Sequence, residues 1–279
     1  MSELPPMNPY VNISGKPVMK KSVVVFVDIL GYSNMIKSIN SPEETADCLI
    51  RLHEALYESR KEIDPQEDNL LGVLVEKDLY AMSSFTDNIV IGYPIRDDGE
   101  AELGGIFLKL SYFQMIMTMK GFFIRGAISI GDIYIDDTLV FGPGLIEAYE
   151  AEKDKARDPR IVLAQSAQSA VEKHLDYYGR GSHAPQNHCL LKDSDGQYFI
   201  HYLDPLFDDE DPLFSERLVK HKDMIDNKLS SFKSSPKIWS KYFWAANYHN
   251  YFCESNNFIN KSMKIDTEKL HLMPVKLIN

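Results

Sequence analysis

A chain of 279 residues with 30 Lys and Arg against 41 Asp and Glu carries a formal charge of −11. With 44% apolar and 25% charged residues, it has the make-up of a globular chain able to bury a full core. The acidic balance argues against a nucleic-acid or anionic-membrane partner, since both call for a basic face. Three cysteines (Cys48, Cys189 and Cys253) are odd in number, widely spaced and in no CxxC pair. That excludes a disulfide framework and a thiolate zinc site, and it suits a reducing cytoplasm. Residues 1–21 are polar, with no apolar h-region, and no later apolar run approaches the roughly 18 residues of a spanning helix. A cytoplasmic chain, neither secreted nor membrane-embedded, is the expectation.

Residues 22–30 are a run of β-formers, apolar on both faces as a buried central strand would be. Ser41-Pro-Glu-Glu44 is a capping box with Pro at the first helical position, and it opens a helix over residues 42–61. Ala46, Leu49, Ile50, His53, Leu56 and Tyr57 define its expected apolar face. Residues 62–78 read as a charged connection. Residues 80–93 read as two strands joined by a tight Asp87-Asn88 turn. Over residues 101–120, Leu103, Ile106, Phe107, Leu110, Phe113 and Met117 recur at helical spacing, with Gly121 as a C-terminal cap. Residues 122–130 and 133–135 read as strands with a bend at Gly131-Asp132. Phe141-Gly-Pro-Gly144 opens a helix to residue 156, a short strand spans 161–163, and a helix runs from 166 to 175.

The order β-α-β-β-α-β is the ferredoxin-like, α+β layout, with helices on one face of an antiparallel sheet. Beyond it come a hairpin at 188–202 around Ser194-Asp-Gly196 and a solvated acidic turn at 208–211. Helices at 213–232 and 236–254 follow, the second dense in aromatics and read as a packing element. The expected organisation is a tail (1–21), a catalytic domain (22–205) and a C-terminal helical extension (206–279).

Two aspartates stand out. Asp28 ends the buried first strand, and Asp87 lies at the tip of the hairpin that neighbours it in this layout. Either alone is explained by capping or turn chemistry. Together they bring two carboxylates to one patch, where repulsion calls for a cation, and Mg²⁺ or Mn²⁺ is the usual one. Leu30, Gly31, Tyr32 and Ser33 follow directly, a turn into a helix whose backbone N–H groups and Ser hydroxyl form an anion cradle.

Val25-Phe-Val-Asp-Ile-Leu-Gly-Tyr-Ser33 resembles the first-strand motif of class III nucleotidyl cyclases, and Ser84-Phe-Thr-Asp-Asn-Ile-Val-Ile-Gly92 resembles their metal hairpin. Ile124-Arg-Gly-Ala-Ile-Ser-Ile-Gly131, Phe141-Gly-Pro-Gly-Leu-Ile-Glu-Ala148 and Pro159-Arg-Ile-Val-Leu163 resemble later family segments in the same order. The resemblance covers residues 22–168. It implies a class III cyclase core in which two divalent cations, Mn²⁺ or Mg²⁺, are held by Asp28, Asp87 and the Ile29 carbonyl. It also implies a head-to-tail homodimer with active sites at the interface.

The family's purine-reading positions hold Ser83 and Leu139 here, and its ribose-positioning Asn and transition-state Arg align with Ile146 and Glu150. The Gly-Pro-Gly run and the basic residues after it resemble the pyrimidine cyclases of Pycsar antiphage defence. That resemblance implies conversion of UTP, or CTP, to cyclic UMP or cyclic CMP, which activates a separate effector. Ser83 and Leu139 then shape the base pocket. Lys153, Lys155, Arg157, Arg160 and, from a partner subunit, Arg180 are candidates for the missing positive charge, and Arg157 is assigned to catalysis. The alternatives are an atypical adenylate cyclase, a catalytically silent nucleotide-binding homologue, and a diguanylate-cyclase relative, which lacks its hairpin motif here. No thiol nucleophile, catalytic zinc spacing or Walker motif is present.

Overall fold

The valine run that follows the N-terminal segment lies at the centre of a sheet. In the computed structural model, which describes residues 8–63, 80–179, 184, 186–206, 214–256 and 260–267, this run is strand β1 (Lys20–Ile29). Val23, Val25 and Val27 enter one apolar core, and Val24 and Phe26 enter another. Both faces of the strand are covered, which is why it reads as continuous hydrophobicity rather than alternation.

After β1 come helices α1 (Tyr32–Lys37) and α2 (Pro42–Ile63), strands β2 (Ala81–Phe85) and β3 (Asn88–Pro94), helix α3 (Glu100–Met119) and strand β4 (Ile124–Ile135). The order β2-β3-β1-β4, antiparallel throughout, is that of a ferredoxin-like βαββαβ unit. Helices α2 and α3 share a core with Val23, Val25 and Val27, on one face of the sheet. Strand β5 (Val140–Phe141) pairs with the far end of β4. Helix α4 (Pro143–Lys155) then crosses to the other face, where Ala148 joins Val24 and Phe26. The one-sided layout therefore holds for the βαββαβ unit and ends with it. Strand β6 (Ile161–Leu163) extends the sheet parallel to β4. Helices α5 (Gln165–Tyr177) and α6 (Gln186–Cys189) follow, and strands β7 (Leu190–Lys192) and β8 (Tyr198–Ile200) complete the mixed sheet.

Three local expectations change. Helix α2 starts as the capping box requires, with Ser41 Oγ accepting from the Glu44 N–H at 3.1 Å. Its buried face is nevertheless Cys48, Ala55, Ser59 and Ile63, while Leu49, Ile50 and Tyr57 are more than half exposed. Small residues and Ile63 make up the fully buried face, Leu52 and Leu56 pack beside it half-buried, and of the expected face Leu56 alone reaches the core. Strand β4 runs unbroken through Gly131, which stays in register with Ser22. A Cβ on Gly131 would lie 2.8 Å from the Gly144 Cα, so this glycine admits α4 rather than making a bend. The segment expected as an N-terminal tail also contributes to the core: Tyr10 is fully buried and bonds Ser22 Oγ at 2.9 Å.

The chain divides into two compact units, Met1–Pro205 and Leu206–Asn279. The second contains α7 (Phe214–Ser231) and α8 (Pro236–Ser255). Between them the Nδ1 atoms of His221 and His249 lie 2.9 Å apart, and His249 Nε2 is 2.9 Å from the Met263 carbonyl. A carbonyl only accepts, so His249 carries its hydrogen on Nε2, and His221 donates from Nδ1. Trp239 stacks on Phe243, and Trp244 on Tyr248. Arg180, the 208–211 turn, Leu213 and most of the 62–78 connection lie outside the described residues. No helix among the described residues is long and apolar enough to cross a membrane.

Candidate active site

The end of β1 and the tip of the β2–β3 hairpin meet because β1 and β3 are antiparallel neighbours with Asp28 opposite Asn88. The hairpin loop is Thr86-Asp87, one residue earlier than the expected Asp87-Asn88, since Asn88 already pairs with Phe85. Thr86 takes φ 59°, an unusual conformation for a β-branched residue. Its hydroxyl lies 2.6 Å from the Phe85 carbonyl and 2.8 Å from Asp87 Oδ1, which orients the carboxylate. The Ile29 N–H donates to the Asp87 carbonyl at 3.0 Å, tying strand end to hairpin tip.

The two carboxylates act on one another. Burial raises the pKa of Asp28, the Arg125 guanidinium pulls it back, and Asp87 pushes it up as a like charge and hydrogen-bonding neighbour. The net position is above the ordinary carboxylate range. Arg125, opposite Asp28 on β4, donates its Nε–H to Asp28 Oδ2 at 2.9 Å and lies 2.9 Å from Glu152 Oε1 of α4. Neither Arg125 nor Glu152 is among the site residues expected from the sequence. Each left a signal: Arg125 is a charge among apolar and small residues in the first half of its strand, and Glu152 shares a helix face with Gly144, Ala148 and Ala151, all buried.

The remaining candidates are distributed as follows. Ile29 is buried, follows Asp28 in sequence and bonds Asp87 through its N–H. Gly31 has φ 79° and precedes α1, with Tyr32 half-buried and Ser33 exposed in its first turn. The Leu30 N–H donates to the Phe123 carbonyl at 2.8 Å, so it is committed to the fold. Ser83 sits on edge strand β2 opposite Val90. Leu139 is half-exposed in the turn between β4 and β5, at the opposite end of β4 from Asp28; one chain does not bring the two together. Arg157 follows α4 at the Asp28 end of the sheet, since β6 begins opposite Gly126. Its side chain is 74% exposed and pairs with Asp158 at 3.3 Å. Arg160 is buried and closed by Asp193 and Asp195. Lys153 is exposed and Lys155 half-buried on the last turn of α4. Ile146 and Glu150 are exposed.

The donors fit a hard divalent cation. They are oxygens only: two carboxylates whose mutual repulsion is visible in Asp28, and the carbonyl of Ile29, the residue after it. Among the described residues, no group of three or more His, Cys, Asp or Glu side chains converges as a metal cage. A six-coordinate ion here therefore completes its shell with water or with the oxygens of a ligand such as a phosphate.

A scan against protein-family models finds no match, and a search of curated proteins finds none either. Solved structures similar to this chain include the adenylyl cyclase CyaB from P. aeruginosa. It is 14% identical over 65% of this chain and 94% of that one, at a TM-score of 0.44. The guanylyl cyclase Cya2 is 11% identical over 65% and 91%, at 0.39. A class III adenylyl cyclase-like ATP-binding protein from Pseudomonas aeruginosa is 12% identical over 64% of this chain and 41% of that one, at 0.40. Likenesses this distant say nothing of substrate or of site residues.

Proposed function

We propose that the chain is a metal-dependent pyrimidine nucleotide cyclase. The ribose 3′-hydroxyl of UTP, or CTP, displaces pyrophosphate from the α-phosphorus and leaves the 3′,5′-cyclic nucleotide. The observation that carries this reading is the meeting of Asp28 and Asp87 beside Ile29 where β1 ends and the β2–β3 hairpin turns, with Asp87 perturbing Asp28. Asp28, Asp87 and the Ile29 carbonyl hold two divalent cations, Mn²⁺ or Mg²⁺. Bound there, these supply Lewis-acid activation of the hydroxyl and neutralise the triphosphate.

Gly31, Tyr32 and Ser33 orient the phosphates through backbone N–H groups and the Ser33 hydroxyl. Leu30, its own N–H spent on Phe123, shapes the turn. Ser83 and Leu139 shape the base pocket. Because Leu139 lies at the far end of β4 from Asp28, it reaches a site only from a second copy, which favours a homodimer with composite sites. Arg157, exposed at the Asp28 end, contributes positive charge to the triphosphate. A cytoplasmic second-messenger role in antiphage defence, acting through a separate effector, completes the reading.

The engagement of Arg157 by Asp158 and of Arg160 by Asp193 and Asp195 favours a second reading, a silent nucleotide-binding homologue. Incubation with each of the four NTPs and Mn²⁺ decides between them. Cyclic UMP or cyclic CMP is the expected product, and Asp28→Ala or Asp87→Ala lowers its formation by about a thousandfold or more. Turnover of ATP alone makes the protein an atypical adenylate cyclase. Tight NTP·Mn²⁺ binding without pyrophosphate release makes it the silent homologue.

A further inference from the structure

The reading above leaves one charge at the site without a role. Arg125 joins three elements: it sits on β4, donates to Asp28 at the end of β1, and lies against Glu152 on α4. The three side chains are 24%, 17% and 5% exposed, in that order. These contacts are largely withdrawn from water, where charge pairing is stronger and more directional than at a surface. Arg Nε carries one hydrogen, and here it is aimed at Asp28 Oδ2. Glu152 supplies charge from the other side and holds the guanidinium in place.

The position of Glu152 is set by close packing. A Cβ on Gly144 would fall 2.9 Å from Val24 Cγ2 and 3.1 Å from the Gly131 carbonyl carbon. Ser129 Oγ, on β4, donates to the Gly144 carbonyl at 2.6 Å. Helix α4 is thus pinned to the sheet two turns before Glu152. The charges also favour a cation: three carboxylates (Asp28, Asp87 and Glu152) against one guanidinium leave two negative charges uncompensated.

We propose that Arg125, held by Glu152, is a positioning residue that fixes the Asp28 carboxylate for divalent-cation binding. This rests on the reading of Asp28 and Asp87 as metal ligands. A ligating carboxylate that is itself hydrogen-bonded keeps its orientation when the ion leaves. Losing such an outer partner typically weakens metal affinity about 10- to 100-fold. Lysine keeps the charge but not the planar donor, so it restores part of the effect.

The test is a Mn²⁺ titration of the full chain without nucleotide, followed by electron paramagnetic resonance of the free ion. Arg125→Ala weakens Mn²⁺ binding at least about tenfold, Arg125→Lys less, and Glu152→Gln by a few-fold. In Arg125→Lys and Glu152→Gln, the unfolding midpoint of the metal-free protein stays at the wild-type value while affinity moves, which a purely structural role does not produce. Should Arg125→Ala fail to fold, those two variants carry the test. Wild-type or tighter affinity in the Arg125 variants, while Asp87→Asn abolishes binding, overturns the proposal. Failure of the cyclase reading looks different: wild type, Asp28→Asn and Asp87→Asn then share one Mn²⁺ affinity, or show none.

Discussion

Two arginines of this chain each sit between two carboxylates, and they differ in what the cluster leaves over. Arg160 is 2% exposed and is paired by Asp193 and Asp195, which lie two residues apart in the β7–β8 turn. It also donates to the Lys155 carbonyl and lies 5.9 Å over the Phe199 ring. That cluster draws both acids from one turn and is closed. Arg125 takes its carboxylates from β1 and α4, and Asp87 from the hairpin adds a third. The first arrangement completes a structural joint, while the second keeps excess negative charge at the end of the central strand. An arginine between two acids is thus no guide by itself. The informative quantity is the charge that remains once the pair is made.

Three experiments sharpen or break this contrast. The largest effect belongs to Arg160→Ala, which deprives two carboxylates of their counter-ion and empties a buried volume. A loss of about 3 kcal/mol in urea unfolding is expected, with Mn²⁺ affinity of the folded protein unchanged. If that affinity falls as it does for Arg125→Ala, the two clusters are not distinct.

Next is Gly144→Ala. The added methyl has no room against Val24 and Gly131, so α4 lifts and draws Glu152 from Arg125. A destabilisation of about 1–3 kcal/mol is expected, accompanied by weaker Mn²⁺ binding. Wild-type stability would mean that the close approach of helix and strand is not enforced.

The smallest effect is in pH, and it separates the clusters by sign. Burial and Asp87 leave Asp28 above the ordinary carboxylate range despite Arg125. In the metal-free protein it therefore takes up its proton while an unfolded chain is still ionised. This group adds stability as the pH falls through its folded pKa toward about 3.9. Burial also raises Asp195, but Arg160 and the Gln197 N–H outweigh it and hold the carboxyl lower. Its contribution is present above about 3.9 and is lost as the pH falls through the lower folded pKa. Carbon-detected NMR titration of both carboxyls should find Asp28 above Asp195, and the reverse order breaks the contrast.

How much was legible varied with how local the controlling physics is. Helix α3 was readable in full: Leu103, Ile106, Phe107, Leu110, Phe113 and Met117 are all buried, because a helix inside a core repeats its apolar positions at 3.6 residues. Helix α2 follows the same rule less well: Leu56 of the expected face reaches the core, but the fully buried positions include Cys48, Ala55 and Ser59. Small residues that permit close approach carry little hydrophobic signal. The unbroken β4 was hidden by Gly131, whose purpose depends on Gly144 thirteen positions later. Asp28 and Asp87 could be paired in advance because strand order in a βαββαβ unit brings the first strand beside the hairpin. Arg125 and Glu152 could not, because the α4 crossing to the second face lies outside that unit.

The sequence alone determined the strand and helix order, the two aspartates at adjoining strand ends, and the glycine turn after the first. These follow from periodicity, capping and turn chemistry, which act over a few residues. Tertiary structure alone decided that Asp28 shares its surroundings with a guanidinium and a second-face glutamate, that Arg160 is closed by a distant turn, and that Leu139 stands at the wrong end of β4 to join Asp28 in one chain. Those outcomes depend on which faces meet, and close packing between distant segments sets that.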